Sequence, residues 1–469
     1  MIKMKNNKRD LNIDRYRGLY VLLMIIFGLL SSFNSFGALQ DAVEHAPDTF
    51  PKTQEEIEYQ NDNHPIYLLP NLAIADCSPG PFFLLISYSL IPSYERKIKK
   101  YGKKKALQLT AGRYIAFIGI GACTYTICSL MYGYLFNKLA FPLIILTAFV
   151  ILLLVAYLLS LLFKIKTNLT AKIKELLKYT ILFMGIYNIA LDLLNTILVI
   201  LGYTEEFFGY WGVLEHIGIT GLITIFIISK LKSNSSKERL VLGIIIMIAY
   251  TIFHESTLPT LINNSIVDNN MRIIDLFIDG GILGGIGYTS MLLILTYIMD
   301  MYKTNKKKYY LSIFTLVICY IIITTYSINT FVPWNKGSSF LSAGLSPHFT
   351  LSKCSISPTY IVVNLFTTLV TFVLVCLLNK IKIKYDLLNM LGRNGILLFI
   401  LEFILIQTFG FLTRDVSLII AILESITISL LLFFIAYRLY KKDIIIKIWG
   451  FYEKYWHTCR WFCVKYKFI

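Results

Sequence analysis

Residues 61–90 read NDNHPIYLLPNLAIADCSPGPFFLLISYSL. His64 precedes an apolar run near residues 70–92, and Asp76 lies near the start of this run. The run is long enough to cross a bilayer. Ionisable side chains at a bilayer boundary are costly to bury unless they pair or take part in chemistry. The stretch therefore predicts a membrane-spanning helix with a functional site at its entrance.

Composition extends the membrane prediction to the whole chain. Its 469 residues are 56% hydrophobic and 16% charged, with a mean hydropathy of +0.64. The apolar residues form blocks of about 20 residues, the length that crosses the bilayer core. We predict an all-α, polytopic transmembrane helical bundle of about twelve spans. The blocks lie near residues 18–36, 70–92, 107–134, 140–163, 177–203, 209–229, 240–259, 273–301, 309–331, 357–379, 394–413 and 416–437.

The basic residues orient the predicted spans. Of the 45 Lys and Arg residues, 39 fall in alternate connections and at the two ends of the chain. Short cytoplasmic loops carry such an excess, so both termini are predicted to be cytoplasmic and residues 34–69 to lie outside. The net charge of +17 results from these loops, which face the anionic lipid head groups of the bilayer. Nucleic-acid binding is not indicated.

The domain organisation is predicted to be simple. A single transmembrane domain, residues 1–440, precedes a basic, amphipathic cytoplasmic tail, residues 441–469. The first apolar block lacks a small-residue cleavage pattern, so it is interpreted as a span and not as a signal peptide. The eight cysteines show no Cys/His ligand spacing, and no metal site is predicted.

Polar residues inside the apolar blocks predict a wet interior. Asn188, Asp192 and Asn195 are spaced so that they share one helical face. Each such residue has a simple alternative role in helix packing by hydrogen bonding. A transporter would use a polar interior for substrate or ion sites, and an enzyme would use it to bring substrates from both sides together. The other residues of this kind are Glu215, His216, Asp275, Asp279, Glu402, Gln407 and Glu424.

Two stretches resemble a known group of membrane enzymes. The segment NIDRYRGLYVLLMII, with Asp14, Arg17 and Gly18, is similar to the "LDxxRGL" start of the transmembrane acyltransferase superfamily. The segment from His64 to Leu90 resembles the "HAPWxGLTxADLxFPxFLFxxG" motif of the heparan-alpha-glucosaminide N-acetyltransferase family and its bacterial relatives. In that motif His64 matches the histidine and Tyr67 the aromatic residue, and Asn71 to Asp76 match the central part that ends in its aspartate.

Later segments agree in order with the same family. WGVLEHIGITGLI, from Trp211, is similar to "GVLQRIGxxYLI", and LGRNGILLFILEFIL, from Leu391, resembles "LGxNALxxYxxxELL". Weaker similarities begin at Asp279 and Lys353. The chain departs from the pattern where Glu215 and His216 replace Gln-Arg and where His64 precedes Asp76 by 12 residues instead of about ten. Residues 44–47 read EHAP, so His45 is an alternative match for the motif histidine.

The resemblance implies transfer of an acetyl or similar acyl group. The donor would be cytosolic acetyl-CoA or another acyl-CoA, and the acceptor an amine or hydroxyl of an extracytoplasmic saccharide. His64 or His45 would act as general base or acyl carrier. Asp76 would orient the imidazole or cap the second span. The richness in Ile, Lys and Asn is typical of an AT-rich bacterial genome, which favours the plasma membrane and a cell-envelope polysaccharide.

Further residues are assigned by charge and by motif. Guanidinium and ammonium groups on the inner side suit the phosphates of acyl-CoA. The predicted cosubstrate residues are Arg17, Asp14, Arg96, Lys103 and Arg113, and the predicted acceptor residues are Tyr67, Asn71, Glu215, His216, Asp279 and Lys353. A multi-span transporter of a small solute or glycan precursor, and an inactive homologue of the acyltransferase, are the alternatives. Whether the chain forms a homo-oligomer stays open.

Overall fold

The computed structural model of the chain describes residues 10–43, 67–69, 72–73, 75–131, 141–162, 168–200, 212–231, 235–253, 281–330, 356–378, 386–413 and 416–445. These ranges are almost entirely helical, as predicted. The exception is a small antiparallel hairpin in which β1, Tyr67–Leu69, pairs with β2, Leu72–Ala73. Short 3-10 turns lie at Asn34–Phe36 and Ala75–Cys77.

Fourteen α-helices lie within the described ranges. They are α1 Leu11–Ser32, α2 Ala38–Val43, α3 Pro79–Tyr101, α4 Lys103–Met131, α5 Phe141–Leu162, α6 Asn168–Ile200, α7 Val213–Lys230, α8 Ser236–Ile252, α9 Gly281–Thr304, α10 Lys306–Thr330, α11 Pro358–Leu378, α12 Leu387–Gly392, α13 Gly395–Leu412 and α14 Leu418–Lys441. All except α2 and α12 have 17 residues or more, and each of these longer helices overlaps one apolar block. Seven of them, α4, α5, α6, α7, α10, α11 and α14, are long and apolar enough to cross a membrane.

The second span begins later than the sequence predicted. The block near residues 70–92 starts with the β2 strand and a 3-10 turn, and α3 itself begins at Pro79. Proline is favoured in the first turn of a helix, because the missing N–H would have no intrahelical partner there. The N-cap of α3 is Ser78, and its side chain makes no capping hydrogen bond. The N-cap position of α3 is thus occupied by Ser78 and not by Asp76.

Two helices present much of their apolar surface outward. On α14, Ile419 is 71% exposed, and on α10, Ile322 is 62% exposed. Apolar patches of this size are rare on water-soluble surfaces and normal on a surface that meets lipid. The described bundle thus has the surface of a membrane protein.

Helix α9 lies at the centre of the bundle. It packs against α3, α7, α8, α10 and α11, and nearly all of its side chains from residue 284 to residue 299 are buried. Its hydroxyl side chains donate to its own carbonyl groups, as Thr289 does to Gly285 at 2.7 Å and Thr296 to Leu293 at 2.6 Å. Small and hydroxylated residues permit close helix packing in a membrane. Helix α9 therefore satisfies several of its hydroxyl groups internally, and neighbouring helices cover most of its described surface.

Glycines bring other helices into backbone contact. A Cβ atom at Gly18 of α1 would lie 1.8 Å from the carbonyl oxygen of Leu388, and one at Gly392 would lie 1.7 Å from that of Asp14. Hydrogen bonds cross the same interface, since Arg15 Nε donates to the Asp386 carboxylate at 2.5 Å. Helices α1 and α12 thus meet through the glycines of two of the sequence motifs.

Candidate functional site

Four helices begin at the same end of the bundle, around Asp76. The Tyr360 hydroxyl, in the first turn of α11, donates to the backbone carbonyl of Asp76 at 2.7 Å. The Tyr288 hydroxyl, in the second turn of α9, donates to that of Tyr360 at 3.4 Å. The ring of His216, in the first turn of α7, meets the ring of Tyr288 edge-on at 5.4 Å. We call Asp76, Glu215, His216, Tyr288 and Tyr360 the Asp76 cluster.

The Asp76 cluster is a buried polar site at the end of the bundle where several helix N-termini lie. Each of its five side chains is at most 4% exposed. Helix α3 belongs to the same end, because Phe83 in its second turn lies 4.8 Å, centroid to centroid, from Tyr288. The N-terminus of a helix carries partial positive charge and unpaired N–H groups, which favour an anion or a developing oxyanion. The meeting of four such ends around a histidine and two carboxyl groups is chemically suited to acyl-group or proton transfer.

Glu215 is the least satisfied member of the cluster. It is 1% exposed, and neither carboxyl oxygen has a hydrogen-bond partner of good geometry among the described residues. A Cβ atom at Gly121 of α4 would lie 2.1 Å from its Cδ, so the absence of a side chain there makes room for the carboxyl group. Buried polar groups in proteins are nearly always paired. Glu215 is therefore the strongest candidate in the cluster for contact with a ligand or a transferred proton.

Asp192 brings a second carboxyl group near Glu215. It lies on α6, is 4% exposed, and interacts electrostatically with Glu215. Asn188, one turn earlier, is half-buried, and the side chain of Asn195 lies outside the described residues. The predicted polar face of this helix is thus buried at Asp192, where it adds a second carboxyl group beside the Asp76 cluster.

A partly open pocket lies between α1, α3, α4, α7 and α13. Its charged lining residues are Arg17 and Arg113, and we call it the arginine pocket. Apolar side chains such as Phe82 and Phe399 form most of the remaining wall. Leu214 and Ile217 also line it, and these two residues flank Glu215 and His216 on α7. The arginine pocket therefore reaches the same helical turn that supplies the Asp76 cluster.

The two arginines are held differently. Arg17 donates to the carbonyl of Gly392 at 3.0 Å and to the carboxylate of Asp14 at 3.3 Å. The Arg113 guanidinium lies 5.7 Å from the centroid of the Phe117 ring, and its buried Nε has no hydrogen-bond partner among the described residues. A guanidinium group binds phosphate and carboxylate oxygens through directed, charge-assisted hydrogen bonds. Arg113 is accordingly the better candidate for an anionic ligand, and Arg17 is anchored by the fold.

The structure brings together some of the sequence-predicted residues. Glu215, His216 and Asp76 share one cluster, and Arg17 and Arg113 share one pocket, with Asp14 bonded to Arg17. Arg96 and Lys103 are exposed and do not line this pocket. Tyr67 lies in β1, where its backbone pairs with Ala73. The predicted residues that lie outside the described ranges are His45, His64, Asn71, Asp279 and Lys353.

Sequence reasoning missed the two tyrosines of the cluster. Tyr288 and Tyr360 lie in the segments with the weaker motif similarities, those that begin at Asp279 and Lys353. Both come within two turns of the start of a helix, which places their hydroxyl groups at the end of the bundle. For Tyr360 the available signal was a tyrosine near the start of an apolar block, whereas Tyr288 lies in the middle of its block and had no such signal.

No protein-family model matches the chain, and no curated protein matches it. The resemblance to the acyltransferase family therefore rests on the short motifs themselves. The structure adds a physical link between two of them, because Gly18 and Gly392 meet at the contact of α1 with α12. Within the described ranges, no group of three or more His, Cys, Asp or Glu residues is arranged to hold a metal ion.

Proposed function

We propose that the chain is a membrane acyltransferase that moves an acyl group from cytosolic acyl-CoA to an amine or hydroxyl of an extracytoplasmic saccharide. The observation that carries this proposal is the arginine pocket, which ends at the α7 turn of the Asp76 cluster. The pocket offers positive charge for phosphates and apolar walls for an acyl chain. The cluster offers proton acceptors and helix N-termini for the reaction itself.

The orientation assumed in this proposal comes from the charge pattern of the sequence. About twelve spans with both termini cytoplasmic place the Asp76 cluster on the outer side and Arg17 on the inner side. The proposed location is the plasma membrane. Alkaline phosphatase fused after residue 203 should be active outside, and the same fusion after residue 233 should be inactive. Equal activity of the two fusions would contradict this orientation.

The proposed reaction needs one proton acceptor and one oxyanion site. A base takes the proton of the acceptor amine or hydroxyl while its nitrogen or oxygen attacks the thioester carbon. The new C–N or C–O bond forms, the C–S bond breaks, and CoA leaves as a thiol after it receives a proton. His64 or His45 is the base by family resemblance, and His216 is the histidine that the structure describes in the site. The first-turn N–H groups around Asp76 face a developing oxyanion.

Purified protein in liposomes tests the proposal directly. Labelled acetyl-CoA is supplied on the side of Arg17, and transfer of the label to a polysaccharide or amino-sugar acceptor is measured. Loss of transfer in His64→Ala or in His45→Ala identifies the base. Unaltered transfer in both variants would exclude both of these histidines, and loss in His216→Gln alone would assign the role to His216.

A transporter of an anionic solute is the second candidate. It is favoured by the same pocket, because two arginines within a helical bundle also suit the passage of an anion. Flux of a labelled anion into liposomes without consumption of acyl-CoA would support transport. Binding of acyl-CoA with neither flux nor transfer would identify an inactive homologue.

A further inference from the structure

A second, partly open cavity lies between α4, α5, α6 and α13. Its wall is almost entirely apolar, with Ile120, Val150 and Leu154 among the lining residues. The charged exceptions are Lys174 and Lys178 of α6. We call this cavity the lysine slot. It shares no described lining residue with the arginine pocket, so it is separate from the candidate functional site.

The lysine slot lies next to lipid-facing surface. On α5, Leu152 is 68% exposed, and it comes two residues after Val150 and two before Leu154 of the slot. On α6, Leu176 is 45% exposed and lies between the two slot lysines. Both helices thus turn one face to the slot and the neighbouring face outward. A lipid chain can enter from the bilayer without passing through the bundle.

The two lysines mark one end of the slot. They are four residues apart, so they lie on the same face of α6. Lys178 is 9% exposed, and its Nζ lies 4.7 Å from the centroid of the Tyr179 ring. No acidic side chain is among the described residues that line the slot. A cationic pair at the edge of an apolar cavity, close to the predicted membrane boundary, is complementary to a ligand with one anionic end and a hydrocarbon body.

We propose that the lysine slot binds an anionic glycerophospholipid from the bilayer leaflet that faces the start of α6. The phosphate group meets Lys174 and Lys178, and one acyl chain lies along Val150 and Leu154. The bound lipid fills the space between α5 and α6 and so stabilises their packing. This inference does not depend on the proposed enzymatic function, because it uses neither the Asp76 cluster nor the arginine pocket.

Native mass spectrometry and thermal unfolding of the full chain in detergent test the site. The probes are phosphatidylglycerol and phosphatidylcholine with the same acyl chains, and inorganic phosphate. We expect phosphatidylglycerol to bind tightest and to raise the unfolding midpoint. Each lysine contributes about fivefold to the affinity, so Lys174→Gln with Lys178→Gln should weaken binding about 25-fold. Equal stabilisation by phosphatidylcholine or by inorganic phosphate would overturn the proposal.

Matched variants separate this site from general membrane electrostatics. Lys172 lies on the same helix and is exposed, so Lys172→Gln should leave the phosphatidylglycerol effect unchanged. Val150→Phe should fill the slot and abolish the effect, whereas Leu152→Phe, on the lipid-facing side, should not. If the lysine double variant does not fold, a second double variant, Lys174→Arg with Lys178→Arg, takes its place. This variant should still bind phosphatidylglycerol, whereas Val150→Phe should not. If Lys172→Gln lost as much binding as the double variant, a specific binding site at Lys174 and Lys178 would be contradicted.

Discussion

The contact of α1 with α12 yields a quantitative prediction. In Gly18→Ala the added Cβ would lie 1.8 Å from the carbonyl oxygen of Leu388, and ordinary contact requires at least about 3.4 Å. The obstructing atom belongs to the backbone, so it cannot rotate away. The two helices must therefore separate by about 1.6 Å at this point, the difference between these distances.

The free-energy cost comes from this separation. Overpacking of a tight contact costs about 3 kcal/mol where a backbone must move. A separation of this size also breaks the hydrogen bond from Arg15 Nε to Asp386, which now spans 2.5 Å. Loss of a charge-assisted hydrogen bond costs about 1.5 kcal/mol or more. Alanine recovers about 1 kcal/mol through its higher helix propensity. We expect Gly18→Ala to lower the free energy of unfolding by about 3–4 kcal/mol.

Gly28→Ala in the same helix is the matched control. A Cβ there would lie 2.6 Å from Glu402 Oε1 and 2.9 Å from Ile406 Cδ1, which are both ends of flexible side chains. These atoms can rotate aside, so the free energy of unfolding should stay within about 1 kcal/mol of the wild type. Reversible unfolding in mixed micelles, titrated with a denaturing detergent, measures both variants. Equal stability of the two variants would refute the argument that backbone contact at Gly18 joins the helices.

Three further predictions concern single side chains. Glu215→Gln keeps the shape of the side chain but removes its capacity to exchange a proton, and it should reduce acyl transfer about 10²-fold or more while the thermal midpoint is retained. Arg113→Gln should raise the KM for acyl-CoA and leave kcat nearly unchanged, because a guanidinium bound to the phosphates would contact them in the ground state and the transition state alike. Arg239→Met should cost about 1–3 kcal/mol, since the buried arginine is paired with the partly exposed Asp300 and donates to Thr296, and its removal takes a charge-assisted hydrogen bond from the carboxylate. Replacement of Asp300 by Leu in the same chain should recover part of that loss, as a stability measurement of the double variant would show.

The positions of the helices could be predicted from the sequence, and their depth in the bundle could not. A span that faces lipid and one that faces protein are both apolar, so hydropathy alone does not distinguish them. The central helix α9 and the peripheral helix α14 both lie in apolar blocks of the sequence, yet one is buried and the other exposed. The available signal was the density of glycine, serine and threonine in α9, which permits close packing on every side.

The start of α3 had a signal in the sequence, because proline is favoured in the first turn of a helix and Pro79 follows Ser78. The strand pair of Tyr67 with Ala73 had no such signal, because it depends on pairing between two short segments. The polar residues of the site were predictable as residue types, since a carboxyl group or histidine in an apolar block is unusual. Their grouping was not, because Asp76, His216 and Tyr288 belong to three helix starts that only the fold brings together.

One turn of α7 faces both candidate regions. Consecutive residues of a helix point about 100° apart, so Leu214, Glu215, His216 and Ile217 together surround the helix axis. The first and last of these line the arginine pocket, and the middle two belong to the Asp76 cluster. Gly121 fits closely against the Glu215 carboxyl group, so this turn cannot rotate without a change in that contact. A ligand that turned this part of α7 through its contact with Leu214 or Ile217 would therefore also move Glu215 against Gly121.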